Sequence, residues 1–147
     1  MGGPFWAHKD NGAWSIIKGE FDPATEDALS AAKREFKEET SCVAPDIEYI
    51  TLNTIKTSNK TIHVFAGESN FDVDKVESNT FEVEWPPKSG QRQAFPEIDR
   101  AAWFDLLIAK TKLVKSQATI IDDLEKSLLK SGAIDNSVEL YGQQTLF

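Results

Sequence analysis

The run Arg34-Glu35-Phe36-Lys37-Glu38-Glu39, with Glu26 eight residues before the arginine, is the part of this 147-residue chain best equipped to do chemistry. On a helix, Glu35, Glu38 and Glu39 fall at i, i+3 and i+4, so three carboxylates crowd onto one face. Like charges at that spacing repel, and a neutralising partner is the natural expectation. Clustered hard oxygen donors suit Mg²⁺ or Mn²⁺, and a small divalent ion beside phosphates makes a hydrolytic site. The competing reading of a charge run is a solvated acidic face. Fixed residue types at fixed spacing favour the metal.

These residues resemble the Nudix box, the signature of hydrolases that cleave nucleoside diphosphates linked to another moiety. Glu26, the seven-residue gap, Arg34, Glu35, the apolar Phe36, Glu38 and Glu39 follow that pattern, and Cys42 fills its last apolar place. Two positions depart from it. Gly19 precedes Glu26 by six intervening residues rather than five, which implies one extra residue in the loop Asp22-Pro23-Ala24-Thr25. Ser41 stands where the family has the glycine that ends the helix in a left-handed conformation, at a modest steric cost. Neither departure removes a ligand. Trp14-Ser15-Ile16-Ile17-Lys18-Gly19-Glu20 is similar to a bacterial subgroup reading Trp-Ser-Ile-Pro-Lys-Gly-Glu. Phe81 to Pro87 and Phe95 to Phe104 resemble the same subgroup, described as nucleoside triphosphate pyrophosphohydrolases.

The resemblance implies a role for each residue. Glu35, Glu38 and Glu39 would hold Mg²⁺ or Mn²⁺, with one of them able to deprotonate the attacking water. The backbone carbonyl of Lys18 would add a further ligand, and Arg34 would pair with Glu26 to hold the loop against the helix. Family enzymes often recruit another acid, for which Glu82 and Glu84 are candidates, against the reading of a solvated strand face. Lys18, Lys88 and Arg92 could meet substrate phosphates, although single surface cations more often only solubilise. Trp6, Trp14, Trp85 and Trp103 could stack on a base, with core or rim packing the commoner use. His8 and His63 have no partner at ligand or triad spacing. The expected substrate is a small nucleotide, an NTP or dinucleoside polyphosphate. A Nudix-like nucleotide-binding or regulatory protein with little turnover is the alternative.

Several elements must position these groups. Asp10-Asn11-Gly12 reads as a turn, Ala13 to Ile17 as a strand, and Gly19 to Thr25 as a loop. Thr25 is the expected N-cap of a helix from Glu26 to Thr40, with Ala28, Leu29, Ala32 and Phe36 as its apolar stripe. Strands are expected at Ile47 to Ile55, Thr61 to Gly67, Thr80 to Trp85 and Ala101 to Phe104, with Lys88 to Phe95 as a polar loop. Helical segments follow from Asp105 and over Lys115 to Leu129. The order predicts an α/β (α+β) fold, and the resemblance specifies a Nudix-type α/β/α sandwich with a mixed sheet. The domain spans 1–131. The tail 132–147 lacks a sustained period, with Leu140, Tyr141, Leu146 and Phe147 as residues that could dock.

Relatives place one or two strands, about twenty-five residues by ordinary strand and loop lengths, ahead of the segment matching Gly2 to Trp6. The resemblance therefore implies a sheet with an open apolar edge, completed by a partner chain in a homodimer, by the tail, or not at all, the last leaving a monomer with weak activity.

Composition bounds the remaining choices. Sixteen basic and 24 acidic residues give a formal charge of −8, which disfavours non-specific nucleic-acid binding. A divalent ion reverses that sign locally, so a nucleotide remains an admissible ligand. Hydrophobic content of 40% and charged content of 27% suit a globular domain. A single cysteine, Cys42, excludes an internal disulfide and fits a reducing cytoplasm. No apolar stretch has the length of a membrane span.

Overall fold

The computed structural model describes residues 2–6, 8–134 and 144–146, the last three by their backbone only. Its elements run α1 (Ala28–Thr40), β1 (Ile50–Lys56), β2 (Thr61–Ala66), β3 (Thr80–Glu84), β4 (Arg92–Pro96), β5 (Trp103–Asp105), α2 (Leu106–Lys112), α3 (Thr119–Ser131) and β6 (Gln144–Leu146). Helices and strands mix as the α+β class requires. Among the described residues, however, the strands form three separate antiparallel pairs, β1–β2, β3–β4 and β5–β6. One parallel bridge, Trp14 to Leu113, supplies the other strand direction.

Several boundaries differ from the sequence reading, each for a local reason. The strand expected over Ala13 to Ile17 reduces to that bridge, because Ile16 N–H donates to the side chain of Gln117 at 3.0 Å instead of to a neighbouring strand. β1 starts at Ile50 rather than Ile47. Ahead of it Pro45 turns the chain, its carbonyl accepting from Ile47 N–H at 3.1 Å and the Tyr49 hydroxyl at 2.7 Å. All of β4 but Pro96 lies inside the stretch Lys88 to Phe95 read as a loop: Arg92, Gln93 and Ala94 are polar or small and exposed, which hides the alternation of a hairpin edge. The backbone of Gln144–Leu146 docks as β6 on β5. Leu140, Tyr141 and Phe147 lie outside the described residues.

Two apolar clusters share Ile16 and Leu124. Trp14, Leu106, Ala109, Leu113 and Ile121 form one, and Leu52, Val64 and Ile120 the other. α3 packs on β1 and α2, so it belongs to both. α1 belongs to neither. Its stripe residues Leu29, Ala32 and Phe36 are half-buried and face a hollow of about 970 Å³, across which stand Ile120, Leu124 and Leu128 of α3.

Candidate functional site

The site is built on α1 and the loop before it. Asp27, not Thr25, caps the helix: its carboxylate accepts from Leu29 N–H and Ser30 N–H, both at 3.1 Å. Thr25 belongs instead to the preceding turn, where the Asp22 carbonyl accepts from Thr25 N–H and Glu26 N–H at 3.0 Å. Glu26 therefore precedes the cap rather than occupying the first helical turn. At the other end Ser41 adopts φ 59°, the left-handed stop expected there, with its N–H on the Lys37 carbonyl at 2.9 Å.

Arg34 organises the carboxylates. Its guanidinium grips Glu26 with Nε and a terminal nitrogen, the latter at 3.1 Å, in the loop-to-helix pairing read from the sequence. The other terminal nitrogen donates to Glu35 at 2.6 Å and to Glu38 at 3.0 Å. A fifth bond reaches the Glu20 carbonyl at 3.1 Å, tying down the loop. The Glu26 and then the Glu35 bonds hold the guanidinium charged far above the range of any physiological pH.

Glu39 is the carboxylate that faces inward, on the wall of the hollow. Burial raises it from the ordinary glutamate value to about 7; Lys18 opposes the shift through its charge and a backbone N–H, while the charges of Glu97 and Glu35 add to it. Gly19 completes the arrangement. A Cβ there would lie 1.6 Å from the carboxyl carbon of Glu35, so a larger residue would push that carboxylate off the loop backbone. The Lys18–Gly19 backbone thus sits beside Glu35 and Glu39 together.

The other candidates go elsewhere. Glu82 pairs with Arg92 at 3.2 Å across the β3–β4 hairpin, and Glu84 accepts from Gly90 N–H at 2.8 Å to close its turn. Lys88 lies exposed in that turn with φ 65°. Among the described residues none of the four contacts the α1 carboxylates. The acid drawn to the site from outside the helix is Glu97, which follows β4 and which the sequence reading passed over. Its signal was position alone: it follows the Phe95-Pro96 pair, and no charge pattern marks it. Trp14 is core, Trp103 donates its indole N–H to the Phe71 carbonyl, and Trp85 packs edge-on to Phe5. His63 lies on β2 against the ring of Phe21. Cys42 packs just past α1 with its thiol on the Lys75 carbonyl.

Glu35, Glu38 and Glu39 are hard-oxygen donors of the kind Mg²⁺ takes. In the side-chain positions present, no three acidic, histidine or cysteine groups among the described residues converge as a chelate. Arg34 stands between Glu35 and Glu38 and shares the charge an ion would neutralise.

An acidic helix braced by an arginine, with a glycine loop pressed on its carboxylates, thus sits in a mixed α+β fold. The sequence model of the NUDIX domain matches residues 4–124, and the chain belongs to the Nudix family. It is accordingly a hydrolase acting on acid anhydrides, a nucleotide pyrophosphohydrolase. No curated protein and no solved structure matches the chain. No helix among the described residues is long and apolar enough to cross a membrane.

Proposed function

We propose that the chain is a Mg²⁺- or Mn²⁺-dependent hydrolase that cleaves the pyrophosphate linkage of an NTP or a dinucleoside polyphosphate by water attack at phosphorus. The observation that carries this reading is the gathering of Glu35 and Glu38 around one cationic group, with Glu39 and the Lys18–Gly19 backbone alongside. Glu35, Glu38, Glu39 and the Lys18 carbonyl would hold the ion, which when bound offsets phosphate charge and lowers the pKa of a water. Arg34 and Glu26 fix the loop on the helix and are positioning residues. Glu39, raised to about 7 by burial, has the proton affinity that suits a general base at neutral pH. Glu97 is the additional acid, in place of Glu82 and Glu84, and Lys18 is the cation nearest the substrate phosphates.

The test is phosphate or pyrophosphate release from a panel of nucleoside triphosphates and dinucleoside polyphosphates while Mg²⁺ or Mn²⁺ is titrated. Saturable, chelator-sensitive release supports the reading. Release unchanged by chelator, or none from any nucleotide at millimolar ion, overturns it.

A further inference from the structure

Asn79 stands between two parts of the site that the sequence keeps apart. It is the residue just ahead of β3, and Glu97 is the residue just past β4. The hairpin register joins Thr80 to Pro96, and the chain runs one rung further: Glu97 N–H donates to the Asn79 carbonyl at 2.8 Å. The neighbouring Ser78 hydroxyl accepts from Ile98 N–H at 2.8 Å. On its other side the Glu97 carbonyl accepts from Gly2 N–H at 2.9 Å. Both backbone groups of Glu97 are therefore held, and the residue borders the hollow that Glu39 and Lys18 also line.

The side chain of Asn79 reaches the other way, to α1. A helix leaves its last four carbonyls without a partner inside the helix. Here the Lys37 carbonyl takes Ser41 N–H at 2.9 Å, and the Thr40 carbonyl takes Glu77 N–H at 3.0 Å. Cys42 N–H, the donor four residues on from Glu38, goes instead to the Thr40 hydroxyl at 3.1 Å. The Asn79 amide takes its place and donates to the Glu38 carbonyl. An asparagine can do this because its amide carries donors that a carboxylate lacks. One residue thus holds Glu38 through its side chain and Glu97 through its backbone. The link matters because the β3–β4 hairpin pairs with no other strand among the described residues. No neighbouring strand sets its height along α1, so the ties at its base do.

We propose that Asn79 is a positioning residue for the hydrolysis: bonded at once to the Glu38 carbonyl and the Glu97 N–H, it sets where Glu97 stands relative to the carboxylates of α1. The inference rests on the reading of Glu97 as the additional acid of the site, and it names the residue that holds that acid in place. Asn79 is exposed, so truncating it removes little packing, and the loss falls on geometry rather than on folding. Misplacing a reacting group by about 1 Å can lower a rate about a hundredfold. Slack in a single tie, with the other bonds to Glu97 kept, should lower it by less.

The experiment is a double-mutant cycle of Asn79→Ala and Glu97→Gln, read by steady-state kinetics on the best nucleotide at saturating Mg²⁺ and by amide exchange at Glu97. Glu97→Gln is expected to slow turnover, and Asn79→Ala to lower kcat about tenfold with KM little changed. The double variant should be no slower than Glu97→Gln alone, because Asn79 acts through Glu97. Asn79→Asp keeps the shape and loses the donor, so it should behave as Asn79→Ala does. Ser41→Ala removes the bond from the same helix end to Glu77 and should leave kcat unchanged. Exchange of the Glu97 N–H should quicken in Asn79→Ala. Glu97→Gln at the wild-type rate would remove Glu97 from the site and this inference with it. A slow Glu97→Gln beside an unaffected Asn79→Ala or Asn79→Asp overturns the positioning role alone. So does an equal loss from Asn79→Ala in both backgrounds, or an equal loss in Ser41→Ala, which marks general anchoring of the helix. Unchanged exchange at Glu97 overturns it without reference to turnover.

Discussion

α1 and α3 are each thirteen residues long and each carries an apolar stripe, yet they are held in opposite ways. α3 is anchored by burial: Ile120 and Ile121 are 5% and 2% exposed and belong to the two core clusters. α1 contributes only Ala31 and Thr40 to the buried set and is fastened by polar ties. These are the Asp27 cap, the Arg34 network, the Ser41 hydroxyl on the Glu77 carbonyl at 2.9 Å, and Asn79 donating to the Glu38 carbonyl. The comparison separates two tasks. α3 stabilises the fold, and α1 presents chemistry from a position that apolar packing alone does not fix.

The contrast is broken most directly by truncating matched stripes. Ile121→Ala on α3 is expected to cost about 2–5 kcal/mol, the usual range for a buried isoleucine cut to alanine. Leu29→Ala on α1, beside the hollow, should cost under about 1 kcal/mol, as for a substitution that removes little packing. Urea denaturation of both variants checks this, and equal losses would mean that α1 is packed as firmly as α3.

Substitutions on the acidic face should reverse the pattern, sparing stability and removing activity. Glu38→Gln and Glu39→Gln are each expected to lower turnover by about a hundredfold, or about 2.7 kcal/mol of barrier, as loss of a metal ligand does. Relief of like-charge crowding should offset the loss of the exposed Arg34–Glu38 pair, so melting should change little. Steady-state kinetics with saturating Mg²⁺ decide, and a variant at near wild-type rate removes that residue from the site.

A smaller effect concerns pH. Because Glu39 binds its proton more tightly folded than unfolded, the native state carries more protons between 4.5 and about 7. Stability of the metal-free chain should thus fall as pH rises through that window and level off above it. Melts in chelator across the window should show the decline, and Glu39→Gln should flatten it.

The smallest change sits at the end of α1. Ser41→Gly removes a side chain from a left-handed residue and should stabilise by about 0.5–1 kcal/mol, less the exposed bond to Glu77. Chemical denaturation resolves the difference, and a net loss would show that the hydroxyl outweighs the strain.

What could be read from the sequence follows from range. The Arg34–Glu26 pairing, the left-handed Ser41 and the stripes of α1 and α3 are set by residues a few positions apart, where spacing determines geometry. Asp27 displaced Thr25 as the cap because both side chains accept hydrogen bonds and only the turn centred on Asp22 selects between them. β4 was missed because a hairpin edge need not alternate. Glu97 was missed because it reaches the acidic helix only through tertiary folding, and Glu82 and Glu84 looked better because their alternation announced a strand face. The separation of the sheet into three pairs has no local signature in any of the strands that show it.

Trp14 has an optical consequence. Its indole is 4% exposed, donates to Asp10 at 2.8 Å, lies beneath the Arg100 guanidinium at 4.6 Å and meets the edge of Phe104 at 4.8 Å. It sits in the cluster of α2 and α3, to which α1 contributes no residue. With Trp6, Trp85 and Trp103 replaced by Phe, its emission would follow one half of the molecule, while circular dichroism at helical wavelengths sums both. Where the two traces separate during unfolding, the gap between them measures how far the acidic helix loosens ahead of the rest.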